Sequence, residues 1–238
     1  MRARKFGPDV TLRARSLVWH ADAVTTPPPG LRERKKRATR EALREAALRL
    51  AVERGPDRVR VEDIARAAGV APRTYNNYFA SREQAIVSAV TGDREARIAA
   101  AVAAGTAGVP LAEAVVDAVV EQYTNPGERE REALLLITTR ATLRDAFLDA
   151  TAGIEPPLTA AIAERLGDAE AGTARVLAAS VAAAVRIALE GWLSPAGNGE
   201  SAGGLVVPSG SLPDQLRAAL APLMPALDAA ERAAGPAA

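Results

Sequence analysis

Apolar residues along this chain recur at helical spacing, and no stretch alternates convincingly in the manner of a half-buried strand. Leu43, Ala46, Ala47, Leu50 and Ala51 make one stripe within Leu31 to Arg54, a predicted first helix that Gly55-Pro56-Asp57 closes. Val61, Ile64, Ala65 and Ala68 fall at i, i+3, i+4 and i+7 and predict a short second helix. Gly69 follows at once, where a helix end needs a residue that tolerates a left-handed conformation. A third short helix is predicted from Ala71 or Pro72, since proline loses no hydrogen bond in a first turn. Tyr75 and Phe79 are its expected anchors. Ser81 has N-cap character with Glu83 in the first turn, so a fourth helix is expected from Ser81 toward Ala104, with Ile86, Val90 and Ile98 inside.

Beyond that helix the same periodicity continues. Pro110 to Tyr123 carries Leu111, Val115, Ala118 and Val119, and ends at Asn125-Pro126-Gly127. Arg129 to Thr139 is apolar nearly all round at Leu134 to Ile137, which predicts a central helix. Thr142 to Leu166 should kink or break near Glu155-Pro156-Pro157. Gly172 to Leu193 is long and alanine-rich, which suits close helix packing. Ser194 to Gly210 reads as a mobile loop, and Ser211-Leu212-Pro213-Asp214 as a helix start. The apolar face Leu212, Leu216, Leu220, Leu223 and Leu227 should bend at Pro222 and Pro225. The fold class is therefore all-α. Residues 1–30 read as a basic, disordered extension ending in Pro27-Pro28-Pro29-Gly30, residues 31–95 as a head, and residues 96–238 as a helical body.

Charge sharpens that division. The chain of 238 residues carries a net charge of only +1. Residues 1–95 nevertheless hold 20 Lys/Arg against 12 Asp/Glu, while residues 96–238 hold 10 against 17. A basic head on an acidic body fits a head that meets nucleic acid. With no cysteine there is no disulfide and no thiol nucleophile, and with His20 as the one histidine a structural zinc site is not expected. Nothing suggests a cofactor. No apolar stretch of spanning length is free of charges or helix breakers, so the cytoplasm is the default expectation.

The predicted third helix carries the candidate chemistry. Arg73, Thr74, Asn76 and Asn77 lie on faces not needed for packing. Arginine and asparagine form paired hydrogen bonds with guanine and adenine edges. Two helices joined by a glycine turn, the second rich in such groups, match a DNA-binding helix-turn-helix. The cluster Arg32, Arg34, Lys35, Lys36, Arg37 and Arg40 reads either as a solvated face or as an arm on phosphates.

Arg37 to Val90 resembles the N-terminal domain of the TetR family of transcriptional regulators. The resemblance rests on Glu53-Arg54-Gly55, Val61-Glu62-Asp63-Ile64-Ala65, Ala68-Gly69-Val70, Thr74-Tyr75, Asn77-Tyr78-Phe79 and Ser81-Arg82-Glu83. It departs from the family before the second helix, where Val59 and Arg60 stand in place of the usual threonine cap, so Arg60 is expected to reach phosphate by charge instead. The resemblance implies a homodimer on a palindromic operator in double-stranded DNA. Pro72, Arg73, Thr74, Asn76 and Asn77 would then lie at the bases, with Thr39, Tyr78, Arg82 and the Arg32 to Arg40 cluster on phosphates. Leu134 to Thr139, Thr142-Leu143-Arg144, Ala160 to Leu166 and Leu189 to Leu193 resemble the mycofactocin-regulator-like group, which implies an acyl-CoA-like ligand.

A helical body with an apolar interior can hold a small effector between its helices. Candidate lining residues are Leu111, Val115, Tyr123, Leu136, Phe147 and Val181, with Arg140 and Arg144 available to a carboxylate or phosphate. Two other classes compete with a repressor released by such an effector. An enzyme is disfavoured because no nucleophile–base pair, metal cluster or glycine-rich phosphate loop is present. A protein-interaction module would place the third helix against an acidic partner, and salt-dependent DNA binding separates it from a regulator.

Overall fold

The computed structural model describes residues 29–105, 108–125, 128–167, 171–194 and 210–235. Twelve α-helices and three short 3-10 turns make up these residues, with no strand among them. The expected extension up to residue 28 and nearly all of the expected loop from 194 to 210 lie outside the described residues.

Helix α1 (Pro29–Arg54) supplies the floor of the N-terminal unit. Its stripe from Leu43 to Ala51 is buried as the periodicity requires, while Arg32 to Arg37 project into solvent. A 3-10 turn (Pro56–Arg58) leads to α2 (Val61–Ala67) and α3 (Pro72–Tyr75), which pack on one another, with α2 resting on α1.

The expected single helix from Ser81 to Ala104 is instead two helices, α4 (Arg82–Thr91) and α5 (Arg94–Ala103). The break has a steric and an electrostatic cause. The Arg44 side chain of α1 crosses the chain at Gly92, and its Nη2 donates to the Gly92 carbonyl at 3.2 Å. A Cβ at Gly92 would stand 2.1 Å from the Arg44 guanidinium carbon. The Asp93 carboxylate meets the same guanidinium at 3.5 Å, and the chain turns there into α5.

Helices α6 (Leu111–Thr124), α7 (Glu128–Thr139) and α8 (Ala141–Asp149) follow. Helix α7 is not central. Ala133 and Ile137, one turn apart, are buried with Thr138, while Leu135 is 66% exposed and Leu134 and Leu136 are half-buried. Its apolar run is wider than the face that α4 and α8 cover. The expected break before Leu166 comes earlier than the prolines. A 3-10 turn (Ala150–Ile154) separates α8 from α9 (Glu155–Leu166), and Pro156 and Pro157 occupy the first turn of α9, where they start a helix rather than bend one.

Helix α10 (Ala171–Leu193) packs against α9 and α11 (Leu212–Leu220) along Ala174, Ala178, Val181, Val185 and Leu189. By length and composition it could cross a membrane, but half of its apolar stretch is buried inside this fold, as in a core helix. A 3-10 turn (Ala221–Leu223) breaks the last helical segment before α12 (Met224–Ala234), as Pro222 and Pro225 led one to expect. Helix α12 closes back on α6, where Glu231 accepts from the Leu111 amide at 2.7 Å and also pairs with Arg165 of α9.

Candidate nucleic-acid interface

The turn between α2 and α3 is built by backbone hydrogen bonds. Val70 N–H donates to the Ala65 carbonyl at 2.9 Å and Gly69 N–H to that of Arg66 at 3.1 Å, a Schellman closure with Gly69 at φ 69°. Val70 is partly buried and packs against the core that includes Ala65. The N-terminus of α2 has no side-chain cap, because Arg60 holds the extended cap position with nothing to accept from the first amides. Asp63 in the first turn pairs with Arg66 at 2.9 Å.

Helix α3 is a single turn that tightens into 3-10 geometry through Tyr78, with Asn77 N–H on the Thr74 carbonyl at 3.1 Å and Tyr78 N–H on that of Tyr75 at 2.8 Å. Two aromatic rings hold it. Tyr75 is fully buried and donates its hydroxyl to the Ser81 carbonyl at 2.7 Å, and Phe79 packs on it with ring centroids 5.7 Å apart. Burial, and then the Glu83 charge, push the Tyr75 phenol well above its ordinary range, so it stays a neutral donor. With both rings turned inward, Pro72, Arg73, Asn76 and Asn77 are left exposed, and Thr74 and Tyr78 half-exposed.

The start of α4 fixes this unit from the other side. Ser81 Oγ caps the helix by accepting from Gln84 N–H at 3.1 Å, and Gln84 Oε1 reaches back past the cap to accept from Ala80 N–H at 2.7 Å. Arg82, expected on phosphate, spends its guanidinium internally. Nη1 donates to the carbonyls of Asp57 at 3.1 Å and Val59 at 3.0 Å, and Nε to Glu83 at 2.7 Å. It ties the chain before α2 to the head of α4. Burial raises the Glu83 carboxyl, yet the hydrogen bond from Arg82, the backbone, the Arg82 charge and Ser81 together outweigh it and hold the group below its usual range. On α1, Thr39 and Arg40 are half-buried beside this surface, and the Arg40 guanidinium lies 6.0 Å from the Tyr78 ring and 5.7 Å from that of Phe79.

The expected effector residues separate into two groups. Tyr123 and Phe147 meet at a pocket of about 250 Å³ that Arg94, Leu134, Trp192 and Leu212 also line. Leu111, Val115 and Val181 are fully buried in the core outside that pocket, and Leu136 is half-buried outside it. Arg140 pairs with Asp57 at 3.3 Å, and Arg144 donates to the Thr138 carbonyl at 3.2 Å. Arg94 was not anticipated. It is 2% exposed, with its guanidinium carbon 4.3 Å from the Tyr123 ring centroid and 5.8 Å from that of Phe147. The sequence carried a signal for it, since Arg94 stands in register with Ile98 and Val102 on the buried stripe of α5. Arg44 was missed for the same reason, lying next to Leu43 on the buried side of α1.

Residues 43–88 match the bacterial regulatory proteins of the tetR family. Over 72 residues the chain is 43% identical to the HTH-type transcriptional regulator TcmR of Streptomyces glaucescens, a match covering 30% of this chain and 32% of that protein. The chain thus spans about a third of the length of this curated relative. The matched family segment runs from α1 through the glycine turn, α3 and the capped start of α4, so it is the helix-turn-helix of the N-terminal unit that is similar to the tetR family.

Proposed function

We propose that the chain is a DNA-binding transcriptional regulator of the TetR family, a homodimer on a palindromic operator that a small effector releases. The observation that carries this reading is the surface of α3. Buried Tyr75 and Phe79 lock the helix, while Arg73, Asn76 and Asn77 stand exposed as donors and acceptors suited to base edges. Thr74 and Pro72 would complete the base contact, with Tyr78, Thr39, Arg60 and the Arg32 to Arg40 cluster on flanking phosphates. Arg82 joins this set as the residue that ties the chain before α2 to the head of α4, given its three internal acceptors. The relative named as a transcriptional regulator supports the regulatory half of the reading.

The effector half rests on the pocket beside Tyr123 and Phe147. Its volume of about 250 Å³ suits a compact apolar molecule and is far below what the nucleotide portion of an acyl-CoA needs. An acyl-CoA-like effector, as in the mycofactocin-regulator-like group, would therefore seat only its acyl part there. A ligand releases DNA by favouring a conformation whose recognition helices are wrongly spaced. The physical link is the joint at Gly92-Asp93, which Arg44 of α1 grips, together with Arg140 on Asp57.

Selection of bound DNA from a random pool tests the reading. The expected product is an inverted repeat whose binding weakens steeply with salt. Recovery of no enriched motif, with binding equal on random duplexes, would discard the operator reading.

A further inference from the structure

We infer that Arg94 is the anion anchor of the body pocket, and that the pocket takes a small apolar carboxylic acid. The site stands on three observations. Arg94 is 2% exposed and belongs to the wall of the pocket. Its Nε and Nη1 have no hydrogen-bond partner among the described residues. The rest of the wall is largely apolar, with Leu134, Phe147, Trp192 and Leu212 around Tyr123.

Buried guanidinium nitrogens without an acceptor are costly, and the ring faces of Tyr123 and Phe147 answer the charge while leaving Nε and Nη1 unmet. No carboxylate is among the described residues that line this pocket. Glu95 lies against Gly153, where its Oε1 would stand 3.3 Å from a Cβ, and is not part of the pocket wall. Burial holds the Glu95 carboxyl above its usual range despite the neighbouring Arg94 and Arg44 charges. The phenol of Tyr123, pushed up to about 12 chiefly by burial, is neutral and contributes no negative charge. An incoming carboxylate supplies the missing acceptors, and its apolar remainder replaces water against Leu134, Phe147 and Trp192. At roughly 30 Å³ per water-sized group, a pocket of about 250 Å³ holds about eight such groups, the size of hexanoate or benzoate.

This acid is the effector class of the regulator proposed above, yet its binding needs no DNA, so the two readings fail separately. Trp192 lines the pocket and Trp19 is the other tryptophan of the chain, so a Trp19→Phe protein reports from the site alone. Titration of its fluorescence with hexanoate and benzoate, and with the neutral hexanamide and benzamide, measures the contribution of the charge. Each acid is expected to bind at least tenfold more tightly than its amide. Arg94→Gln should erase that preference and leave amide binding within about threefold. Leu134→Phe, which narrows the pocket and leaves Arg94 in place, should weaken acid and amide together, and it keeps the test open if Arg94→Gln does not fold. Equal affinity for acid and amide in the unaltered pocket, or no saturable signal from either acid, would overturn the assignment even if operator binding were intact.

Discussion

Arg73 and Arg82 bracket the same buried pair of rings and have opposite allegiances. Arg73 is exposed on α3, whereas Arg82 reaches two backbone carbonyls and Glu83. Arg73→Ala should therefore leave the melting temperature unchanged and cost about 1–3 kcal/mol of DNA affinity at one base position, with relaxed specificity there. Binding titrations against an operator and its single-base variants read this out, and a uniform loss across all variants would instead place Arg73 on phosphate. Arg82→Ala should act through the fold. Charge-assisted hydrogen bonds are worth about 1.5–3 kcal/mol, so the melt should drop by several degrees and affinity should fall alike on specific and random DNA. An unchanged melt would return Arg82 to the DNA surface. Glu83 adds a pH signature to the same contact. Its folded pKa lies below the ordinary 4.5, so its stabilisation is present above that value and is lost as pH falls through the folded pKa. The stability gap between the native chain and Glu83→Gln should accordingly close in acid, and a gap that stays constant from neutral pH into that range would contradict it.

Among the elements, the break between α4 and α5 is the one that sequence periodicity hid. Ile86, Val90 and Ile98 continue an apolar pattern across Gly92, and a lone glycine inside a helical pattern does not announce a break. The decisive partner is Arg44, distant in sequence, and no local pattern reveals that its guanidinium occupies the space beside Gly92. The helix-turn-helix was legible for the contrary reason. Its glycine turn, its proline start and its Ser81 cap are local devices whose physics is complete within a few residues. The residues expected around an effector fall into two groups. Tyr123 and Phe147 reach the pocket, but a stripe cannot distinguish core from cavity wall, so Leu111, Val115 and Val181 proved to be core. The joint yields its own test. Gly92→Ala places a methyl 2.1 Å from the Arg44 guanidinium carbon and should expel that side chain from its bonds to Gly92 and Asp93. A destabilisation of about 1–3 kcal/mol is expected. In an Arg44→Ala background the same change should cost much less, and a double-mutant cycle by denaturant melts checks it. Strict additivity would mean that the break owes nothing to Arg44.

For the whole molecule, the outer face of α10 is where the proposed homodimer is expected to form. Val176 is 67% exposed and Ile187 64% exposed, with exposed Ala183 between them. Steps of seven and four residues keep the three on one side of the helix, opposite the face that packs on α9 and α11. Val176 and Ile187 stand about 16 Å apart along the axis, so they form a strip rather than two isolated apolar residues. Charges rim the strip. Arg175 pairs with Glu155 at 3.3 Å, and Arg186 with Asp149 at 2.9 Å and Glu190 at 2.8 Å. An apolar centre of small and branched side chains inside a polar rim is the anatomy of an interface, and the small residues allow two α10 helices to approach closely across a twofold axis. A second copy docked there would set two α3 helices at a fixed spacing, with about 34–36 Å required for successive half-sites of one DNA turn. Val176→Glu with Ile187→Glu buries two like charges against their own images and should yield a monomer at micromolar concentration in sedimentation experiments. The monomer should keep its helical content, because neither side chain belongs to the core, and it should bind a single half-site no worse than before. Only the gain in affinity from joining two half-sites should vanish. If the double variant remained a dimer, the contact would lie elsewhere on the molecule and the spacing of the α3 helices would have to be rebuilt from that surface.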